Sequence, residues 1–247
     1  MIEQTYIQTS DGSNTLFSAQ YHQHFHSTQV GAFSEALFKH VVPAFHHHAG
    51  KTHLRILDIC FGLGYNTWAT LYHILTHKLN ISVEIFSPEL DGALIQSLHQ
   101  FEFPSEFDTL KPIIKAISKE HFFNDNQFNI QVYCGDARDY VKTLSDIDIV
   151  YQDAFSSEVN QELWTREYFK ELAGIMNNDA ILTTYSVATP VRLGLYENEF
   201  FLYETNALNK KITLAFKRQQ PSLAPINMAH KLTAHPDAKS FSDREIK

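Results

Sequence analysis

From Gly50 onward the chain alternates short apolar runs with helical stretches: LRILDIC, a helix over Asn66 to Leu79, ISVEIFS, a helix from about Gly92 to Gln100, then FNIQVYC, DIDIVYQD and AILTTYS. Strands separated by helices lie parallel, because each crossover brings the chain back to the same end of the sheet and covers its faces. The rhythm breaks near the end. FFLYET and KITLAFKR are joined by the polar stretch NALNKK, which leaves no room for a helix, so these two strands pair antiparallel. The expectation is an α/β fold: a Rossmann-like, doubly wound, mostly parallel sheet ending in an antiparallel hairpin. A chain of 247 residues suits one such core.

Residues 1–50 read as an N-terminal β-hairpin and helix packed on that core. TYIQT and TLFSAQY flank SDGSN, whose Asp11-Gly12 is a turn signal, and Val30 to His48 carries Phe33, Leu37, Val41 and Phe45 at helical spacing, with Ser27 and Thr28 available as caps. Residues 51–220 form the core, with an insertion at about 101–128 that either caps the core or shapes a substrate site. Residues 221–247 have weak periodicity and read as a C-terminal arm, extended or partly disordered.

The net charge of −8 argues against a polyanionic partner at first, since nucleic-acid affinity rests largely on Lys and Arg. Residues 210–247, however, carry eight Lys or Arg against three acids, so a local basic surface is available. Apolar runs such as Ile147 to Tyr151 are too short to span a bilayer, and MIEQTYIQTSDG lacks the pattern of a signal peptide, which points to the cytoplasm. Cys60 and Cys134, each at a strand or strand end, do not suggest a disulfide framework.

The stretch LDICFGLGYNT, residues 57–67, runs from a strand through a glycine turn into a helix. A P-loop needs a Lys-Ser or Lys-Thr pair that Tyr65-Asn66 does not supply, and a dinucleotide turn needs a third glycine where Thr67 stands. Asp58 would repel a pyrophosphate but suits the ammonium and sulfonium of S-adenosylmethionine. Asp58, Gly62, Gly64 and Asn66 are therefore the turn side of a candidate S-adenosylmethionine site; the bland alternative is that Gly62 and Gly64 only serve strand-to-helix packing. The usual methyltransferase turn is acidic-x-Gly-x-Gly-x-Gly, and Cys60 stands where its first glycine falls. Glu89, with Asp91 close by, follows the second strand and is a candidate for the ribose hydroxyls; Asp136 follows the third and is a candidate for the adenine amino group. Each acid taken singly could equally be a solvated loop carboxylate.

The fourth strand ends in VYQDAFSSEVNQELWT, which places Asp153 at its carboxyl end with Phe155 and Trp164 nearby. An acid ending a buried strand is costly unless paired or functional, whereas core packing accounts for Phe155 and Trp164 as readily as substrate contact does. TSDGSNTLFS, FHSTQVGAFSEA, LDICFGLGYN, YQDAFSSEVNQELWT and TYSVATPVRLGL together resemble the methyltransferase domain of the bacterial tRNA 5-methylaminomethyl-2-thiouridine enzymes, MnmC, and their shorter stand-alone relatives. The resemblance implies the class I methyltransferase fold, S-adenosylmethionine as cofactor, and N-methylation of the aminomethyl group on a tRNA wobble uridine. It also implies the stand-alone form, since the length leaves no room for the family's flavin oxidase. Asp153 is then the catalytic residue, orienting the acceptor amine first and taking its proton second. Phe155, Tyr185 and Arg192 border the substrate, Arg192 facing phosphate or serving a structural ion pair. Departures from the family pattern fall at Ser157, Glu158, Val159 and Gln161 and in YENEF.

Two histidine groups, His22, His24 and His26, and His46 to His48, lack a Cys or acidic partner at ligand spacing in the sequence, so no metal is expected. His26 is placed beside the methionine end of the cofactor. Competing readings are an aminopropyltransferase of the spermidine synthase type or another small-amine methyltransferase, and, from a different class, a histidine-rich metal-binding or assembly protein.

Overall fold

The structure, a computed structural model, describes residues 6–246. Its centre is an eight-stranded sheet built from β1 (His53–Ile59), β2 (Ser82–Glu89), β3 (Phe122–Asn124), β4 (Phe128–Cys134), β5 (Ile147–Gln152), β6 (Met176–Thr184), β7 (Phe201–Ala207) and β8 (Lys210–Phe216), in the order β7-β8-β6-β5-β1-β2-β4-β3. The five strands β6, β5, β1, β2 and β4 are parallel. The β7-β8 hairpin closes one edge antiparallel, as the NALNKK spacing requires, and β3 turns back antiparallel on β4 at the other. The strand order reverses between β1 and β5, and a crevice at such a switch point, beyond the carboxyl ends of the strands, is where open α/β sheets hold ligands.

Alternation along the strands divides the core in two. Ile56, Ile85, Ile149 and Ile181 pack on one face, with Trp68, Phe107 and Ile117; their neighbours Leu57, Phe86, Val150 and Leu182 pack on the other, with Trp164, Phe169 and Leu172. Every residue of β5 is buried, and such central parallel strands therefore read as continuous apolar runs. The first face is covered by α1 (residues 32–47), α2 (Tyr65–Thr76) and the insertion with its helix α4 (Lys111–Glu120), which follows the short α3 (Gly92–Ser97). The second is covered by α5 (Ala137–Val141), α6 (Arg166–Ile175), α7 (Thr189–Glu197) and α8 (Met228–Ala234).

The insertion caps the core: Phe107, Leu110, Ile113, Ile114 and Ile117 are all buried. α1 is not uniform. Its middle, Ala36–Val41, widens to a π-helical turn before resuming as Val42–His47. Pro43 sits at the start of that last segment and has no amide hydrogen, so the register upstream of it is free to widen. The N-terminal hairpin forms around Asp11-Gly12, pairing Ile7–Gln8 with Asn14–Thr15; the Thr5 end of the expected strand lies outside the described residues. TLFSAQY does not run on as one strand, since Phe17–Ser18 pairs with Gln23–His24 in a second small ribbon.

The C-terminal segment was expected to be extended or partly disordered, yet it carries α8 and is tied to the core. Arg138 makes two bonds to Asp243, of 2.8 and 2.6 Å, Ser240 donates to Glu197 at 2.7 Å, and the Arg166 amide donates to the Phe241 carbonyl at 2.9 Å. Single polar side chains at wide spacing made these ties, and they leave no periodic signature. Among the described residues no helix is long and apolar enough to cross a membrane.

Candidate active site

The turn after β1 takes three left-handed residues at alternate positions, Cys60 (φ 64°), Gly62 (φ 54°) and Gly64 (φ 77°), before α2 begins. Backbone bonds fix it: the Gly64 amide donates to Phe61 at 2.7 Å and the Phe61 amide to Pro88 at 3.0 Å. Left-handed backbone costs a non-glycine residue about 1–2 kcal/mol. That accounts for the glycine of the usual methyltransferase motif where Cys60 stands, and Cys60 occupies the conformation regardless.

Gly62, Asn66, Glu89, Asp136, Asp153, Phe155 and Tyr185 line a single cavity of about 430 Å³ at the carboxyl edge of the sheet. Three predicted residues do not. Asp58 is buried behind the turn, where its carboxylate accepts from Asn66 Nδ2 at 3.1 Å and from Thr67 Oγ1 at 2.9 Å. Burial pushes its carboxyl up to about 8 against those donors, so near neutral pH it does not present a full negative charge to the cavity. The turn's sign preference comes from other acids, and Asp58 acts by holding Asn66.

Gly64 is likewise a packing residue. A Cβ there would stand 2.6 Å from Trp68 Nε1 and 2.8 Å from Phe61. Arg192 is the third correction: it is buried, with Nε bonded to Thr213 Oγ1 at 2.9 Å and Nη2 to Glu204 at 2.9 Å, a structural ion pair between α7 and the β7-β8 hairpin. Trp164 is wholly buried, donating to the Phe155 carbonyl at 2.8 Å, and supports the loop rather than facing the cavity.

The cavity's polar groups fall into two sets. In the first, Glu89 accepts from the Gly62 amide at 2.7 Å through Oε2 and from the Asp91 amide at 2.9 Å through Oε1, and burial pushes its carboxyl up. Asp136 lies close by in sequence to Gly135, which also lines the cavity, and caps α5 through the Arg138 amide at 2.7 Å. In the second set, Asp153 Oδ2 accepts from Asn66 Nδ2 at 3.0 Å, and His40 Nε2 lies 3.4 Å from Asp153 Oδ1. Burial would raise the Asp153 carboxyl, but His40, then His26 and Asn66, outweigh it and hold it below the usual carboxylate range. Burial lowers His26 from its ordinary value, against the attraction of Asp153.

Phe155 stacks on Tyr21 with centroids 4.5 Å apart and meets Phe25 edge-on at 5.1 Å. Tyr185 donates to the Ala154 carbonyl at 3.0 Å. Tyr21, Phe25, Lys39, His40, Lys210 and Lys211 also line the cavity and were not singled out from sequence. They arrive from the N-terminal ribbon, the π-turn and the edge hairpin, none of them at the carboxyl end of a parallel strand. His22, His24 and His26 do not converge with acids at metal-ligand distance among the described residues. The fold does bring Asp179 beside His47 and His48, their ligand atoms within 4.8 Å of one another, an acidic partner that the sequence spacing hides. A cation is already there, since Lys51 Nζ is 3.1 Å from Asp148 and 4.0 Å from Asp179.

A family model described as S-adenosyl-L-methionine-dependent methyltransferase matches residues 104–217. The crystal structure of MNMC2 from Aquifex aeolicus superposes with a TM-score of 0.85 and 28% identity, covering 98% of this chain and 79% of that one. A tRNA 5-methylaminomethyl-2-thiouridine biosynthesis bifunctional protein MnmC, from Ralstonia nicotianae, is 29% identical over 233 residues, 86% of this chain and 35% of its own length. These similarities support a relationship to the methyltransferase part of the MnmC proteins. Uncharacterized protein MJ0670 of Methanocaldococcus jannaschii is 31% identical over 233 residues, 90% of this chain and 62% of that protein. The chain thus spans less than two thirds of these curated relatives. A probable spermidine synthase from Corynebacterium glutamicum shares the fold at a TM-score of 0.56 and 11% identity, over 94% of this chain and 85% of that one.

The family model that matches residues 104–217 is that of an S-adenosyl-L-methionine-dependent methyltransferase, and the cavity suits that cofactor chemically. The molecule offers a cationic centre, an ammonium, ribose hydroxyls and an adenine amino group. The cavity offers the acceptors Glu89, Asp91, Asp136 and Asp153, with the N-terminus of α2 to favour a carboxylate. The buried Asn66 Oδ1, which has no hydrogen-bond partner among the described residues, is one acceptor left over.

Proposed function

We propose that this methyltransferase converts the aminomethyl group on a tRNA wobble uridine to methylaminomethyl, with Asp153 as the residue that receives the acceptor amine. The observation that carries this reading is the Asp153 carboxylate, kept ionised inside a cavity and held through both oxygens by Asn66 and His40. A primary alkylammonium has a pKa near that of Lys, about 10.4, and must lose a proton before it can attack. A carboxylate held below its usual range is a strong attractor of that ammonium and a weak base. Orientation of the nitrogen is therefore its larger contribution, and transfer of the proton to Asp153 or onward to water the smaller. When bound, S-adenosylmethionine supplies the activated methyl group. Gly62, Asn66, Glu89 and Asp136 are assigned to holding it, Phe155 and Tyr185 to the acceptor side, and Tyr21 and Phe25 extend the aromatic surface available to a base.

The exposed Lys210 and Lys211 bring positive charge to the cavity from the edge hairpin and suit a phosphate-bearing substrate. That supports tRNA over the aminopropyltransferase reading, whose favouring observation is a polyamine aminopropyltransferase of Vibrio vulnificus, 24% identical over 144 residues, 52% of this chain and 47% of its own length. A polyamine would meet the exposed Lys210 and Lys211 on entering. The deciding experiment is nucleoside analysis of tRNA from cells lacking the gene. Aminomethyl-uridine should accumulate at the expense of methylaminomethyl forms, and an unchanged nucleoside profile would refute the assignment.

A further inference from the structure

We infer that His40 is the positioning residue for Asp153, clamping its carboxylate from the π-turn of α1 while Asn66 holds it from α2. This rests on Asp153 being the group that receives the acceptor amine. His40 is 1% exposed, and each ring nitrogen meets a different strand. Nδ1 lies 2.8 Å from Thr183 Oγ1 on β6, and Nε2 lies 3.4 Å from Asp153 Oδ1 just past β5. These two strands are neighbours, with Thr183 opposite Tyr151 in the parallel register. The imidazole therefore spans the carboxyl ends of adjacent strands, its edge against the Tyr151 ring at 5.7 Å.

The Thr183 hydroxyl donates to Nδ1 when the ring's proton is on Nε2, which is the tautomer that donates to Asp153. With Oδ1 held by His40 and Oδ2 by Asn66, the carboxylate cannot rotate to offer either oxygen elsewhere. The widened turn makes this reach available. Lys39, His40 and Val41 are buried in succession, a wider inward arc than a regular amphipathic turn presents. The titratable and charged groups around the ring are Asp153 and Tyr151 at the end of β5, His26 from the N-terminal ribbon, and the Lys39–Glu35 pair of its own helix.

The test compares wild type with His40→Leu, His40→Gln and Thr183→Val, using tRNA that carries the aminomethyl base. His40→Leu should lower kcat by about a hundredfold, the scale of a roughly 1 Å misplacement, with the Kd for S-adenosylmethionine unchanged within about twofold. His40→Gln, which can still donate to Oδ1, should recover most of that loss, and Thr183→Val should fall between. A His40→Leu enzyme as fast as wild type, or a His40→Gln enzyme as slow as His40→Leu, would overturn the inference. A second arm needs no substrate: the His40 Nε2–H proton resonance, followed by NMR, should shift in Asp153→Asn because its acceptor changes, and an unshifted resonance would also overturn it. If wild type leaves the aminomethyl tRNA unmethylated, the proposed substrate fails while the NMR arm still decides the positioning role.

Discussion

Gly64→Ala separates a packing glycine from a ligand-binding one. The new Cβ would stand 2.6 Å from Trp68 Nε1 and 2.7 Å from Trp68 Cε2, and the residue would keep φ near 77°. The left-handed backbone costs about 1–2 kcal/mol, and crowding a close-packed indole about 1–3 kcal/mol. Trp68 is fully buried and donates to the Leu63 carbonyl at 3.0 Å, so displacing it also endangers a bond worth about 0.5–1.5 kcal/mol. The total is on the order of 3–5 kcal/mol. With a urea m-value of about 2–3 kcal/mol/M, the midpoint should fall by more than about 1 M. Gly62→Ala is the matched control: its Cβ would approach the movable edge of Phe25 at 3.1 Å, and the residue lines the cavity. It should cost less stability and weaken S-adenosylmethionine binding more, measured calorimetrically on folded protein. The reasoning is refuted if Gly64→Ala loses under about 1 kcal/mol, or if Gly62→Ala proves the more destabilised of the two.

Asp153→Asn should reduce methyl transfer by at least about a hundredfold with cofactor affinity and melting temperature largely kept; equal loss of activity and binding would make Asp153 a structural acid. Arg192→Met should destabilise the fold by about 2 kcal/mol, because the half-exposed Glu204 retains Lys211, and should leave tRNA affinity unchanged; a weakened Kd for tRNA at unchanged stability would restore it to the substrate side. Asp148 gives the pH prediction. Burial works to raise its carboxyl, but the Arg55 amide, Asn177 and Lys51 outweigh burial and lower it, so its stabilising contribution is present above the unfolded carboxyl pKa and fades as pH falls through the folded one. Wild type should therefore exceed Asp148→Asn in urea stability at pH 7, with the gap closing below about pH 4; a constant gap would refute it.

The sheet was legible because strand and helix periodicity are local properties, and the β7-β8 hairpin because NALNKK is too short for a crossover. Glu89, Asp136 and Asp153 were legible as cavity residues for a related reason: acids at or just past the carboxyl ends of parallel strands fall on one edge of the sheet. Asp58 was misplaced because its position fixes the strand but not the direction of its side chain, and Asn66 and Thr67 of α2 turn it inward. The choice between phosphate and a structural ion pair for Arg192 was not legible because Glu204 and Thr213, its partners, come from strands added after α7.

By itself, then, the sequence determined the parallel sheet, its antiparallel edge, the glycine turn and the row of carboxylates, all of which follow from backbone geometry and short-range spacing. Only the tertiary structure decided which acids keep a charge facing the cavity, since that depends on burial and on donors brought from distant segments. His40, Tyr21 and Lys211 reach the cavity through contacts between elements far apart in the chain, and such contacts leave no period in the sequence. Cys60 marks the boundary between the two. The sequence shows a residue out of pattern, and the fold supplies the left-handed backbone that makes glycine the usual occupant.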